Sequence, residues 1–190
     1  MKVGLFFGSF NPIHIGHLII ANVALQTSDI DEIWFVVSPQ NPFKKNRNLL
    51  HEFDRMDLVS AAIEDDYHFK ACDVEFHMPK PSYTIDTLTV LAEKHPEHEF
   101  SLIIGEDNLA SFQKWKNHQS ILEHFRLLVY PRPASSKSDL INHQSVRVIE
   151  APKMEISATL IRKMIKAGQS IKYLVPQRVE ELISGKGFFQ

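Results

Sequence analysis

A short segment near the start of the sequence combines glycines, small polar residues and two histidines. It reads Gly8-Ser9-Phe10-Asn11-Pro12-Ile13-His14-Ile15-Gly16-His17. His14 and His17 are three residues apart, so both imidazoles share one face if a helix begins here. Imidazoles and free backbone N–H groups at a helix start can donate hydrogen bonds to a polyphosphate. The segment therefore predicts a site for a phosphate-bearing ligand.

The two glycines of this segment have separate predicted uses. Gly8 would let a ligand approach the backbone closely, and Gly16 would leave room for a flat ring beside the helix start. Two other interpretations stay open for His14 and His17, namely a pair of metal ligands and ordinary helix-cap histidines. The metal interpretation lacks an HExxH pattern and a third ligand at metal-binding spacing.

A second segment near the end of the sequence has the features of another anion-binding helix start. It reads Ile156-Ser157-Ala158-Thr159-Leu160-Ile161-Arg162. Ser157 is a favourable N-cap residue, Thr159 falls in the first turn, and Arg162 projects about one turn further on. A helix start combined with a guanidinium would hold phosphate oxygens. The alternative is a capped helix without a ligand.

Alternating strands and helices are predicted to position both segments. Buried strands are predicted over residues 2–7, 32–37, 69–75, 100–104, 126–130 and 146–149. Helices are predicted over residues 14–26, 53–65, 83–94, 159–167 and 175–184, with one or two short helices over 108–122. This alternation predicts a single α/β domain, residues 1–190, with a Rossmann-like doubly wound parallel sheet and a small C-terminal helical extension. Residues 131–142 are predicted to be loosely structured.

Composition restricts the classes of protein that the sequence can encode. The 190 residues include 21 Lys and Arg against 23 Asp and Glu, a formal net charge of −2, which argues against a general nucleic-acid binder. No apolar run is long enough to cross a membrane, and the start lacks a signal-peptide pattern. The single cysteine, Cys72, is interpreted as a small core residue. We therefore expect a cytoplasmic protein.

Both segments resemble known signatures. The first resembles the HxGH signature of the nucleotidyltransferase superfamily, and the second resembles its ISxTxxR motif. Over nearly the whole length the sequence resembles the nicotinate mononucleotide adenylyltransferase family. The matching positions are the Pro-rich loop at 39–44, Arg55, the SYTxxTL-like residues 81–88, the IGxD-like residues 103–107, Trp115, Arg132-Pro133 and the YLxP residues 173–176. The departures are Phe7, Ser9, Asn11 and Phe43, which replace a glycine, a threonine, an aspartate and a histidine of the family pattern.

The resemblance implies transfer of AMP from ATP to nicotinate mononucleotide, giving deamido-NAD and pyrophosphate. Mg²⁺ would be bound mainly by the phosphates, and no metal would be held by the protein itself. The implied catalytic residues are His14, His17 and Arg162. The implied ATP-binding residues are Gly8, Ser9, Phe10, His14, Gly16, His17, Gly105, Asp107, Ile156, Ser157, Thr159 and Arg162. The implied acceptor-binding residues are Lys44, Arg55, Tyr83, Thr84, Asp107, Trp115 and Arg132.

The implied acceptor site is chemically consistent with a pyridine nucleotide. Trp115 would stack on the ring, and backbone N–H groups near Tyr83 and Thr84 would bind its carboxylate. Asp107 would hold a ribose hydroxyl or orient a cationic group. The alternatives are a core-filling role for Trp115, an exposed helix-capping role for Asp107, a plain helix start at Tyr83 and Thr84, and a solvated Lys44.

Other functions remain as alternatives at this point. Nicotinamide mononucleotide or phosphopantetheine could be the acceptor, although the chain length and the segments around Tyr83 and Trp115 favour a pyridine nucleotide. A non-catalytic ATP sensor would retain the fold, but both motif histidines are present. An RNA-binding relative of the aminoacyl-tRNA synthetases is disfavoured by the short chain and near-neutral charge. A homo-oligomer is compatible with the sequence.

Overall fold

The strands predicted from buried apolar runs form one parallel sheet in a computed structural model that describes residues 1–39, 49–133 and 138–190. The strands are β1 Lys2–Gly8, β2 Glu32–Val37, β3 Phe69–Cys72, β4 Glu99–Gly105, β5 Arg126–Tyr130 and β6 Val146–Val148. The α-helices are α1 Ile15–Thr27, α2 Glu52–Ile63, α3 Thr84–Lys94, α4 Glu106–Ala110, α5 His118–His124, α6 Ala158–Lys166 and α7 Gln177–Lys186. Short 3₁₀ turns occupy Val74–His77, Phe112–Lys114 and Asp139–Asn142.

The order of the strands is β3-β2-β1-β4-β5-β6, and every neighbouring pair is parallel. This is the doubly wound arrangement predicted from the sequence. The strand order reverses between β1 and β4, so the connections leaving these two strands diverge to opposite faces. A crevice opens at their carboxyl ends, and it is here that the β1–α1 loop and α4 begin.

Alternate side chains of the strands bury two hydrophobic clusters, one on each face of the sheet. On one face Phe6 and Phe35 pack with residues of α1, α2, α6 and α7. On the other face Leu5 and Leu102 pack with residues of α3, α4 and α5. The strands are therefore covered on both sides, which accounts for their nearly continuous apolar sequences.

The C-terminal helical extension is part of the first of these clusters. Ile161 of α6 and Val179 and Ile183 of α7 are buried there. Lys186 of α7 also forms ion pairs with Asp54 and Asp57 of α2, at 3.3 and 3.0 Å. None of the helices in the described ranges is long and apolar enough to span a bilayer.

Two local predictions differ from the structure. The strand predicted to reach residue 75 ends at Cys72, because the chain turns into the 3₁₀ turn Val74–His77 and buries Glu75 against hydroxyl donors. The loosely structured stretch predicted at 131–142 contains the ordered turn Asp139–Asn142, which the Ser138 hydroxyl caps by accepting from the Leu140 amide. Residues 134–137 lie outside the described residues.

Candidate active site

The first motif segment follows β1 directly and reaches α1 through a tight loop. Phe10 has a positive φ of 44° and is buried, with its ring directly over Gly8. A Cβ on Gly8 would lie 2.8 Å from that ring. The missing side chain of Gly8 thus admits the Phe10 ring, and the approach of a ligand to the Gly8 backbone stays a prediction. The Phe10 ring in turn packs edge-on against His17, with centroids 5.1 Å apart.

The two motif histidines lie against each other at the start of α1. Their rings stack with centroids 3.7 Å apart and an interplanar angle of 23°. The backbone N–H of His14 donates to Nδ1 of His17 at 3.2 Å. Because Nδ1 accepts this bond, neutral His17 carries its proton on Nε2, where it can donate to a ligand.

Burial keeps both imidazoles neutral near pH 7. It lowers the pKa of His14 to about 4, and the positive charge of Arg132 contributes in the same direction. Burial also lowers the pKa of His17 well below its usual value, with further contributions from His14 and Arg132. The pair therefore offers neutral N–H donors to a charged ligand.

The backbone at the start of α1 is less available than the sequence suggested. The N–H of Ile15 donates to the carbonyl of Leu174 at 2.9 Å, which attaches the YLxP segment to this helix. A larger residue in place of Gly16 would crowd the His14 ring, since a Cβ there would lie 3.1 Å from Nδ1 of His14. The His14 ring therefore packs beside Gly16, and a ligand ring at this position stays a prediction.

The second motif segment reaches the first one through Arg162. Its guanidinium donates to the carbonyl of Asn11 at 2.7 Å and to Oγ1 of Thr159 at 3.3 Å. Ser157 is the N-cap of α6, as predicted, and its hydroxyl accepts from the Leu160 amide at 3.2 Å. Ile156 lines a narrow crevice together with His14 and His17. The structure therefore brings the two predicted phosphate-binding segments to one place.

Asp107 and Arg132 meet above the end of β4. Oδ1 of Asp107 lies so close to Gly105 that a Cβ there would collide with it, and it is 3.7 Å from Nε of Arg132. The backbone N–H of Arg132 donates to Glu106 at 3.1 Å. Arg132 lines the crevice of the two histidines. Its position favours the ATP side of the site over the acceptor side that we predicted for it.

A separate cavity of about 130 Å³ opens beside the histidine crevice and contains the predicted ring-binding residues. Tyr83 and Thr84 at the start of α3 line it, and so does Trp115, which follows the turn Phe112–Lys114. Gly8 and Ser9 form its border with the β1–α1 loop. Tyr130 lines both the cavity and the crevice, so the two compartments share a wall.

Several lining residues of this cavity were missed from sequence. They are Ser38, Glu75, Asn108 and Lys116. Lys116 pairs with Asp86 at 2.8 Å and its ammonium lies 4.9 Å from the centre of the Tyr83 ring. The sequence signal that could have identified Lys116 was its position directly after Trp115. Glu75 gave no signal, because the sequence predicted a strand there.

The prediction that Arg55 binds the acceptor is not supported by its position. Arg55 is fully buried and donates to the carbonyls of Ser9, Ser38, Pro39 and Leu50 at 2.6 to 3.0 Å. These bonds occupy the guanidinium and hold together the loops after β1 and β2. Arg55 therefore stabilises the loops that border the site. Lys44, the remaining predicted acceptor residue, lies outside the described residues.

A candidate metal-binding cluster lies away from the crevice. Within the described ranges, the one group of three or more residues with suitable spacing is His95, Glu97 and His98. It precedes β4 and so lies at the amino edge of the sheet, opposite the two histidines of the motif.

Comparison with known proteins defines the class first. The family model described as Cytidylyltransferase-like matches residues 5–164, which include the sheet and both motifs. A solved structure titled "Plasmodium falciparum nicotinic acid mononucleotide adenylyltransferase complexed with NaAD" covers 99% of this chain with 97% of its own. Its TM-score is 0.83 at 20% sequence identity, so this likeness establishes the fold. The chain therefore belongs to the class of Cytidylyltransferase-like proteins.

Closer relatives define the family within that class. A protein of Cytophaga hutchinsonii named "Probable nicotinate-nucleotide adenylyltransferase" is 61% identical over 100% of this chain and 98% of its own length. A protein of Flavobacterium psychrophilum with the same name is 49% identical over the full length of both. The chain belongs to the nicotinate-nucleotide adenylyltransferase family.

Proposed function

We propose that this protein transfers the adenylyl group of ATP to nicotinate mononucleotide, giving deamido-NAD and pyrophosphate in NAD biosynthesis. The observation that carries the proposal is the pairing of two compartments with one shared wall. One holds two neutral histidines near the arginine of the second motif, and the other is lined by the Trp115 ring and by the start of a helix. The family names of the relatives support the same reaction.

The reaction would be a direct in-line transfer. A phosphate oxygen of the acceptor attacks the α-phosphorus of ATP, the bond to the bridging oxygen breaks, and pyrophosphate leaves with that electron pair. The attacking oxygen is already an anion, so no general base is required. Catalysis then consists of positioning the two phosphates and stabilising charge in the transition state.

The histidine crevice would hold the triphosphate. His14 and His17 donate N–H groups without carrying a charge, while Arg162 and the hydroxyls of Ser157 and Thr159 bind outer oxygens. Ser9 and Gly105 would border the α-phosphate and the nucleoside, and Asp107 with Arg132 would close the crevice. ATP would enter as its Mg²⁺ complex, with the ion held mainly by phosphate oxygens.

The neighbouring cavity would hold the pyridine ring of the acceptor. Trp115 would stack on the ring, and the first amides of α3 would bind the ring carboxylate. Thr84 and Ile85 occupy the first two positions of that helix, where the amides lack intrahelical acceptors. A carboxylate suits these donors better than an amide, which favours nicotinate over nicotinamide mononucleotide.

We propose further that residues 1–190 act as one nucleotidyltransferase domain, because α6 and α7 complete the same hydrophobic cluster as α1 and α2. ATP and nicotinate mononucleotide would be its partners, with no nucleic acid.

The test is pyrophosphate release by the purified protein with ATP and Mg²⁺. Nicotinate mononucleotide, nicotinamide mononucleotide and phosphopantetheine are compared as acceptors at equal concentration. We expect the highest kcat/KM with nicotinate mononucleotide. A preference for another acceptor would retain the chemistry and refute the assignment of the cavity. ATP binding without release with any acceptor would indicate a nucleotide sensor.

A further inference from the structure

Glu75 is a buried carboxylate in the wall of the ring-binding cavity. It lies on the 3₁₀ turn after β3 and is only 2% exposed, yet it lines the cavity beside Tyr83 and Thr84. Burying a carboxylate is costly unless hydrogen-bond donors replace its water. Within the described residues, no lysine or arginine forms an ion pair with Glu75. Its stabilisation must come from neutral donors.

Two hydroxyl groups supply these donors, one to each oxygen of the carboxylate. The Ser82 hydroxyl donates to Oε2 at 2.8 Å, and the Thr87 hydroxyl donates to Oε1 at 2.8 Å. Ser82 and Thr87 are buried as well. Hydrogen bonds to an ionised acceptor are shorter and stronger than those between neutral groups. The arrangement is therefore a stiff connection between two elements.

The two donors flank the start of α3. Ser82 precedes the N-cap residue Tyr83, whereas Thr87 follows the first three helical residues. Glu75 thus attaches the chain on both sides of Thr84 and Ile85, whose amides face no intrahelical acceptor.

We propose that Glu75 is a positioning residue for the acceptor. By binding Ser82 and Thr87, it fixes the first turn of α3 so that the amides of Thr84 and Ile85 receive the ring carboxylate opposite Trp115. This inference rests on the proposed function. It predicts that Glu75 governs discrimination between carboxylate and amide acceptors while leaving ATP binding unaffected.

The experiment compares Glu75→Gln, Ser82→Ala and Thr87→Val with the unmodified protein. Thr89→Val is the matched control, because Thr89 lies on the same helix and its hydroxyl donates only to the Ile85 carbonyl. KM and kcat are measured for ATP and for both mononucleotides, and the Kd of nicotinate mononucleotide is measured by calorimetry. Thermal unfolding of every variant reports whether it remains folded.

We expect Glu75→Gln to raise the KM and Kd of nicotinate mononucleotide about tenfold, as for a lost charge-assisted contact network. The kcat and the KM of ATP should stay within about twofold of the values of the unmodified protein. The preference for nicotinate mononucleotide over nicotinamide mononucleotide should fall about tenfold. Ser82→Ala and Thr87→Val should give smaller shifts that do not add to that of Glu75→Gln. Thr89→Val should change neither KM nor preference.

Two results would overturn the inference. One is an unchanged acceptor preference in a folded Glu75→Gln protein. The other is an equal loss toward ATP and both acceptors, which would indicate a general structural role. If the unmodified protein releases no pyrophosphate with any acceptor, the proposed function fails first, and the calorimetric Kd still decides whether Glu75 affects nicotinate mononucleotide.

Discussion

Two helices begin at the carboxyl edge of the same sheet, and their first turns are built differently. At the start of α1 the Ile15 amide is already bonded to the Leu174 carbonyl, and two stacked imidazoles supply the donors. At the start of α3 the Tyr83 side chain does not cap the helix. Instead the buried carboxylate of Glu75 accepts hydrogen bonds from residues on both sides of the first turn. Imidazole side chains thus lie at the first helix start, and backbone amides without intrahelical acceptors lie at the second.

This difference matches the two ligands that the sites are proposed to hold. Charge builds on a triphosphate during transfer, and imidazole N–H donors can strengthen their hydrogen bonds as it does. A ring carboxylate carries the same charge throughout, so fixed amides suffice to recognise it. The α1 start should therefore affect turnover, and the α3 start should affect acceptor affinity. Three substitutions or conditions can test this division.

The largest effect is expected at the α1 start. His17→Ala should lower kcat by about 10²-fold or more, because it removes a donor to the transition state. Pyrophosphate release under saturating substrates measures the effect, and circular dichroism checks that the fold is retained. His124→Ala, at an exposed position on α5, is the control and should leave kcat unchanged. A His17→Ala protein with normal kcat would remove this residue from the mechanism.

The second effect concerns how the stability of the protein depends on pH through the stacked histidine pair. The folded pKa of His14 is about 4, below the usual 6.5, so the unfolded chain binds more protons between these values. The contribution to stability is thus present above pH 6.5 and is lost as the pH falls toward 4. The free energy of unfolding should drop by about 2 kcal/mol from pH 7 to pH 5 for His14 alone.

Urea unfolding at a series of pH values measures this slope, and His14→Asn provides the comparison. The variant should have a flatter dependence on pH between 5 and 7, since asparagine does not titrate. Equal slopes for the variant and the unmodified protein would show that His14 titrates normally.

The smallest effect is expected at the α3 start. Thr84→Pro removes one amide donor, while proline is well tolerated at the first position of a helix. Tyr83 already has φ −116° and ψ 143°, a conformation that suits the residue before a proline. The KM of nicotinate mononucleotide should rise about tenfold, with the KM of ATP unchanged. Thr84→Ala keeps the amide and should behave like the unmodified protein; equal shifts in both variants would assign the effect to the hydroxyl.

The sequence predicted the fold well because its strands are buried on both faces. Such strands appear as apolar runs that end in glycine or polar residues, as at β1, β2 and β4, and their alternation with helices predicts a parallel sheet. The prediction was weakest at the edge of the sheet, where β3 is short and ends in a turn. There the hydrogen bonds of Glu75 decided the local structure, and their donors, Ser82 and Thr87, lie beyond the turn at positions that the strand pattern does not reveal.

The sequence by itself determined the chemistry of this protein more than its geometry. The residue types and spacing of the two motifs, together with the order of strands and helices, are local properties that can be recognised along the chain. Only the tertiary structure decided that the Ile15 amide is bonded to the Leu174 carbonyl, that Arg55 is buried beneath the loops, and that Glu75 binds the start of α3. These contacts join separate elements of the fold, and burial determines their energies; both arise only when the sheet and helices pack together.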